Sequence, residues 1–220
     1  PELQAEHRAQ LKAFYSVLKT QDRYIKFAFL TGVTKFGKVS VFSDLNNLTD
    51  ISMDHRYISI CGMTEKELLT NFKEGISELA EANGDSETET IAKISMRYAG
   101  YHFEENSEEI YNPFSVLNTL ANSRYDDYWF KANTHTFLID ILKKHDYCIT
   151  NLSKAQIKAN MMNNVETNPF PVIYQGGYLT IKSYDERFKN YQLGFPNKEV
   201  EEGILNTLLP HGCKTAEMDC

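Results

Sequence analysis

The stretch YIKFAFLTGV, residues 24–33, decides the reading of the fold. Ile25, Phe27, Ala28, Phe29 and Leu30 form a nearly continuous apolar, β-prone run. That pattern suits a strand covered on both faces, as in a parallel sheet. Gly32 marks its end. Upstream, Leu3, Leu11, Phe14, Tyr15 and Leu18 recur at helical spacing over residues 3–19. A doubly covered strand between helical segments predicts an α/β, mainly helical chain. Its parallel sheet would be a remnant, with the neighbouring strands outside these residues.

Downstream the pattern becomes helical. Residues 38–48 read as a short helix or turn. The tetrad T-E-K-E at 64–67 is a capping box, in which Thr64 bonds the first turn and Glu67 reaches back. Leu68, Leu69, Phe72, Ile76 and Leu79 then predict one long helix that Gly84 ends. Ser86 starts another, running to about Tyr98. Pro113 suits a first helical turn, with Asn112 as its N-cap. A further helix is predicted over 134–145, where Lys143, Lys144 and His145 oppose the dipole favourably. Beyond residue 165 short strands are predicted at Val172–Tyr174, Tyr178–Lys182 and Tyr191–Phe195, with turns at Gly176-Gly177 and 184–190. Helices followed by a small β-hairpin outline a winged-helix module. A last helix covers 198–209, and the tail HGCKTAEMDC has no periodicity.

Composition narrows the function classes. The chain is 42% hydrophobic and 24% charged, an ordinary globular balance. Its net charge of −7 argues against non-specific nucleic-acid binding, which draws on Lys and Arg. Cys61, Cys148, Cys213 and Cys220 form no CxxC pair and no Cys/His cluster of zinc spacing. A reduced, cytoplasmic protein is the expectation. No run approaches the roughly 18 apolar residues of a membrane span. The N-terminus has neither the apolar core of a signal peptide nor a start methionine, which suggests a piece of a longer protein.

From FLTGVTKF (29–36) onward, the chain resembles a bacterial AAA-ATPase-like family whose ATPase-like domain is followed by a PD-(D/E)XK nuclease-like domain. The likeness continues in order through VSVFSDLNNLTDIS (39–52), YAGYHF (98–103), IYNPFSVLNTL (110–120), YW (128–129), GYLTIKSYD (177–185) and LGFPNKEV (193–200). It departs at residues 128–136, YWFKANTHT, where the family phrase is YWF-x-TGTP. The resemblance implies the C-terminal part of an ATPase core at 1–50, a helical lid and winged-helix-like region at 51–200, and a linker at 201–220. It implies an ATPase core before residue 1 and a nuclease-like domain after residue 220 as partners, with ATP and magnesium as ligands of the full-length parent.

No catalytic or metal residue stands out. A phosphate-binding loop GxxxxGK[ST] is absent from the sequence, so the chain alone is expected to bind no cofactor. The resemblance places Thr31 near a γ-phosphate, orienting the attacking water, and Lys35 as a sensor of phosphate charge. From the residues alone they are a strand-ending threonine and a surface lysine. His102 is either a lid contact to nucleotide or a satisfied structural histidine. Lys182, Arg187 and Lys189 lie on the expected wing, where they meet either nucleic-acid phosphates or solvent. The expected recognition-helix segment 153–164 offers only Lys154 and Lys158. The function expected is a non-catalytic regulatory fragment that couples nucleotide state to a neighbouring domain. The alternatives are a winged-helix nucleic-acid-binding module and a protein-interaction or self-association module.

Overall fold

The computed structural model describes residues 2–32, 48–132, 136–144, 152, 154–162 and 168–208. Lys35, most of the 38–48 segment and the tail after residue 208 lie outside them. Helix α1, Glu2–Thr20, follows the expected period. Residues 25–32, however, form no strand. A strand of a parallel sheet exists only through its neighbours' hydrogen bonds, and these residues pair with none of the described ones. Phe27 is 81% exposed and Phe14 on α1 is 70% exposed.

The helical body begins with α2, Glu65–Asn71. Thr64 caps it as predicted: its hydroxyl accepts from Glu67 N at 3.2 Å, and the Glu67 carboxylate accepts from Thr64 N at 2.9 Å. The predicted single helix breaks at Phe72, whose φ of −122° and ψ of 28° are not helical, and resumes as α3, Lys73–Asn83. Gly84, at φ 70°, closes α3. A second capping box at Ser86 and Glu89 opens α4, Glu87–Tyr98. Asn112 caps α5, Pro113–Asn122, by accepting from Phe114 N at 3.0 Å. The apolar faces of these helices meet in one core containing Leu68, Ile76, Leu79, Ile94, Tyr98 and Val116. Replacing Ser86 with Ala removes the acceptor for Glu89 N. The expected loss is about 1 kcal/mol, read as a small downward shift of the thermal midpoint.

The second core is built from α6 (Tyr128–Ala132), α7 (Thr136–Lys144), β1 (Gln156–Lys158), α8 (Phe170–Gln175), β2 (Thr180–Asp185), β3 (Asn190–Gly194) and α9 (Lys198–Leu208). The three strands are antiparallel in the order β1-β3-β2. Ile181 opposes Leu193 and Ile157 opposes Tyr191. Phe130, Leu138, Leu142, Ile173, Leu179, Val200 and Ile204 fill the interior. Two expectations are corrected here. Val172–Tyr174 belongs to helix α8, not to a strand, because Pro169 and Pro171 suit a first helical turn and deny a sheet its donors. The segment 153–164 contains β1 and a 3-10 turn at Ala159–Met161 instead of a recognition helix. A short apolar or mixed run does not itself distinguish helix from strand.

Candidate functional site

Residues from five of the blocks that carry the resemblance, from YAGYHF to LGFPNKEV, meet where the two cores adjoin. Asn197 begins the junction as the N-cap of α9. Its side-chain oxygen accepts from Val200 N at 3.2 Å, and its amide donates to the Ala99 carbonyl at 2.8 Å. Two residues on, Glu199 is fully buried. Its carboxylate accepts from the Ser115 hydroxyl at 2.7 Å and from Trp129 N at 2.8 Å. Ser115 lies in the first turn of α5 and Trp129 in the first turn of α6. The first turns of α5 and α6 thus supply the donors that this α9 carboxylate accepts, the Ser115 hydroxyl and the backbone of Trp129 and Phe130. Burial pushes the Glu199 pKa up. The hydrogen bonds from Ser115 and from the backbone of Trp129 and Phe130 pull it down, and the nearby Asp127 charge adds to the rise.

Around this carboxylate the other blocks interlock. Gly100 has φ 84°, and a Cβ built on it would lie 2.1 Å from the Pro196 carbonyl oxygen. His102 N donates to Thr180 Oγ1 at 2.7 Å, and that hydroxyl donates to the His102 carbonyl at 3.1 Å. The Trp129 and Tyr178 rings pack with centroids 5.5 Å apart, with Gly177 against the indole. Tyr98 donates its hydroxyl to the Asp126 carbonyl at 2.9 Å. Arg97 spans from Asp127 at 2.5 Å to Glu202 at 3.4 Å. Such a network rigidifies where buried polar groups have fixed partners, as Glu199, Asn197 and Thr180 do. Glu199 has no exposed surface from which to meet a substrate, so its chemistry is structural.

The expected ligand contacts lie elsewhere. Thr31 is exposed on the extended segment 25–32. His102 presents Nδ1 to the Ser107 carbonyl at 3.0 Å and Nε2 to Glu109 at 3.9 Å, so both ring nitrogens face protein groups. Lys182 directs Nζ to the Pro196 carbonyl at 3.4 Å, and desolvation lowers its pKa although much of its stem stays exposed. Arg187 and Lys189 sit on the β2–β3 turn, where the Arg187 guanidinium lies 5.2 Å from the Phe188 ring centroid. His102 and Lys182 thus share one groove of about 430 Å³ with Glu104, Glu105 and Glu186, while Arg187 and Lys189 do not line it. Tyr191 is pushed up to about 12 by burial and by the neighbouring Glu105. Among the described residues no group of three or more His, Cys, Asp or Glu side chains could hold a metal. No described helix is long and apolar enough to cross a membrane. Sequence reasoning passed over Glu199, Asn197 and Ser115. An acidic residue after an Asn reads as an ordinary first helical turn, and only tertiary packing shows that this one is buried.

Residues 1–42 match the model of a family described as predicted AAA-ATPase. Over 214 residues, 95% of this chain, the sequence is 35% identical to the "Uncharacterized protein in vnfD 5'region" of Azotobacter chroococcum mcd 1. The chain spans 39% of that protein's length. No solved structure matches. The family model reaches residue 42, whereas the likeness to the Azotobacter protein runs through both hydrophobic cores.

Proposed function

We propose that the chain is a non-catalytic, regulatory part of an AAA-ATPase-like protein, passing nucleotide state from an ATPase core to the domain beyond α9. One observation carries this reading. The segment that matches the ATPase family exposes Phe14, Tyr24, Phe27, Phe29 and Leu30, while residues 63–204 bury two well-formed cores. An exposed apolar set of this kind is a surface built to be covered, here by the rest of an ATPase sheet. In that setting Thr31 and Lys35 reach the γ-phosphate, and residues outside the chain supply the phosphate loop and hold magnesium. Helices α2–α5 act as the lid. The order β1-β3-β2, with α7 and α8 packed on it, supports a winged-helix-like module. The Glu199 junction makes lid and module move together, so a nucleotide that favours one lid position also biases α9. Such coupling requires differential affinity for the two positions.

Among the described residues, a nucleic-acid role would draw on Arg187 and Lys189 at the hairpin tip and on exposed Lys158 beside it. Helix α8, which precedes the hairpin, is FPVIYQ: it is uncharged, and its first four residues are buried. Titration calorimetry of the 220-residue chain with ATP and magnesium is expected to show no tight binding. A micromolar dissociation constant would overturn the division of labour proposed here. In a parent chain that carries a phosphate loop, Thr31→Ala is expected to slow hydrolysis far more than it weakens ATP binding.

A further inference from the structure

Strand β2 is one of the two outer strands of the sheet, paired on one side with β3. Its other side faces the groove of about 430 Å³, whose far wall is the loop 102–107. Four consecutive residues of β2, Ile181, Lys182, Ser183 and Tyr184, line that groove. Side chains of a strand alternate between faces. The register shift between Ile181 and Ser183 interrupts that alternation, and the free edge is identified instead by the strand order, in which β2 pairs only with β3 among the described residues. The loop is held at the head of the strand by the His102–Thr180 hydrogen bonds, and is closed on itself by Ser107 N donating to the Glu104 carbonyl at 3.3 Å. Beyond Thr180, no hydrogen bond joins loop and strand among the described residues. An edge left open in this way is a template for an added strand.

Charge selects the occupant. Glu104, Glu105 and Glu186 line the groove. Its cationic side chain, Lys182, turns its ammonium to the Pro196 carbonyl, and the His102 ring is taken up by Ser107 and Glu109. The field facing a ligand is negative. A second copy of this chain would set the same carboxylates against one another. We propose that the outer edge of β2 binds an extended, lysine- or arginine-bearing peptide segment of a partner protein by strand addition. The surface is independent of nucleotide and of the ATPase assignment.

The test is an amide NMR titration of the 220-residue chain with a synthetic, capped (Lys-Val)4 peptide. Shifts are expected at residues 181–186 and 103–107, and they should weaken as salt is raised. A (Lys-Pro)4 peptide, unable to donate to a ladder, should leave these amides unmoved. The double variant Glu104→Lys/Glu186→Lys, at two positions outside both cores, should keep its melting midpoint and lose about tenfold or more in affinity. The proposal is overturned by an absence of shifts at millimolar peptide, by shifts confined to other surfaces, or by equal binding of (Lys-Pro)4. Concentration-dependent shifts of the β2 amides without peptide would overturn it in favour of self-pairing.

Discussion

Gly100→Ala is expected to lower the thermal midpoint by about 10 °C, one of the largest effects of any methyl-sized change in this chain. Two penalties combine. The residue holds φ 84°, a conformation that costs an L-residue roughly 1–2 kcal/mol. The new Cβ would also meet the Pro196 carbonyl oxygen at 2.1 Å. That oxygen belongs to the backbone immediately before the α9 N-cap, so it cannot rotate aside as a flexible side chain would. Overpacking of this kind typically adds about 1–3 kcal/mol. Gly84→Ala separates the two contributions. Gly84 has φ 70°, but nothing lies within 4 Å of a Cβ placed there. It should lose only the conformational part. Equal losses in the two variants, measured by calorimetric melting, would show that the 99–100 segment does not press on residues 196–197 as described.

Glu199→Ala should destabilise by about 3–5 kcal/mol. Truncation removes the acceptor of the Ser115 hydroxyl and leaves the N–H of Trp129 with only its 3.2 Å bond to Ser115 Oγ. Glu199→Gln keeps the shape and one carbonyl acceptor and should be markedly milder, because the Ser115 hydroxyl can turn to accept from the new amide. The two carboxylate environments in this chain also predict opposite pH responses. The folded-state pKa of Glu199 is raised above its ordinary value of 4.5, chiefly by burial. Between 4.5 and that raised value the folded chain holds a proton that the unfolded chain has released, so its contribution to stability falls as pH rises through this window. Glu67 and Glu89 are lowered by hydrogen bonds from Thr64 and Ser86. Their contribution is present above 4.5 and lost as pH falls below it. Denaturant melts of wild type and Glu199→Gln across pH 3–8 should therefore differ in slope on the alkaline side of 4.5 and agree on the acid side. A difference that grows only below 4.5 would mean that Glu199 is not the desolvated carboxylate described.

Much of the helical body could be read from the sequence because its signals are local. Thr64 with Glu67 and Ser86 with Glu89 are reciprocal caps within one turn, and Asn112-Pro113 is a start signal complete in two residues. Apolar spacing carried the rest. The break at Phe72 gave no such sign: the stripe from Leu68 to Leu79 stays in phase across it, and the one glycine within it, Gly75, lies inside α3 and not at the break. The α8 segment was misread because Val172, Ile173 and Tyr174 favour strands, whereas Pro169 and Pro171 bias the same stretch towards a helical start. Residues 25–32 show the converse. Their composition matches a buried strand, but a strand's hydrogen bonds belong to its neighbours, and none of the described residues supplies them. The junction was legible only as a set of separate phrases. That Gly100 faces Pro196, or that Glu199 faces Ser115 across 84 positions of chain, depends on long-range packing that no window of sequence contains.

The shared carboxylate has a consequence for how the molecule comes apart. Because α9 takes its first turn from one core and buries Val200 and Ile204 in the other, neither core can lose order while its companion keeps it. The described residues between Met63 and Ile204 are therefore expected to melt as one unit, and two separate transitions in a calorimetric scan would show that the junction does not tie the cores together.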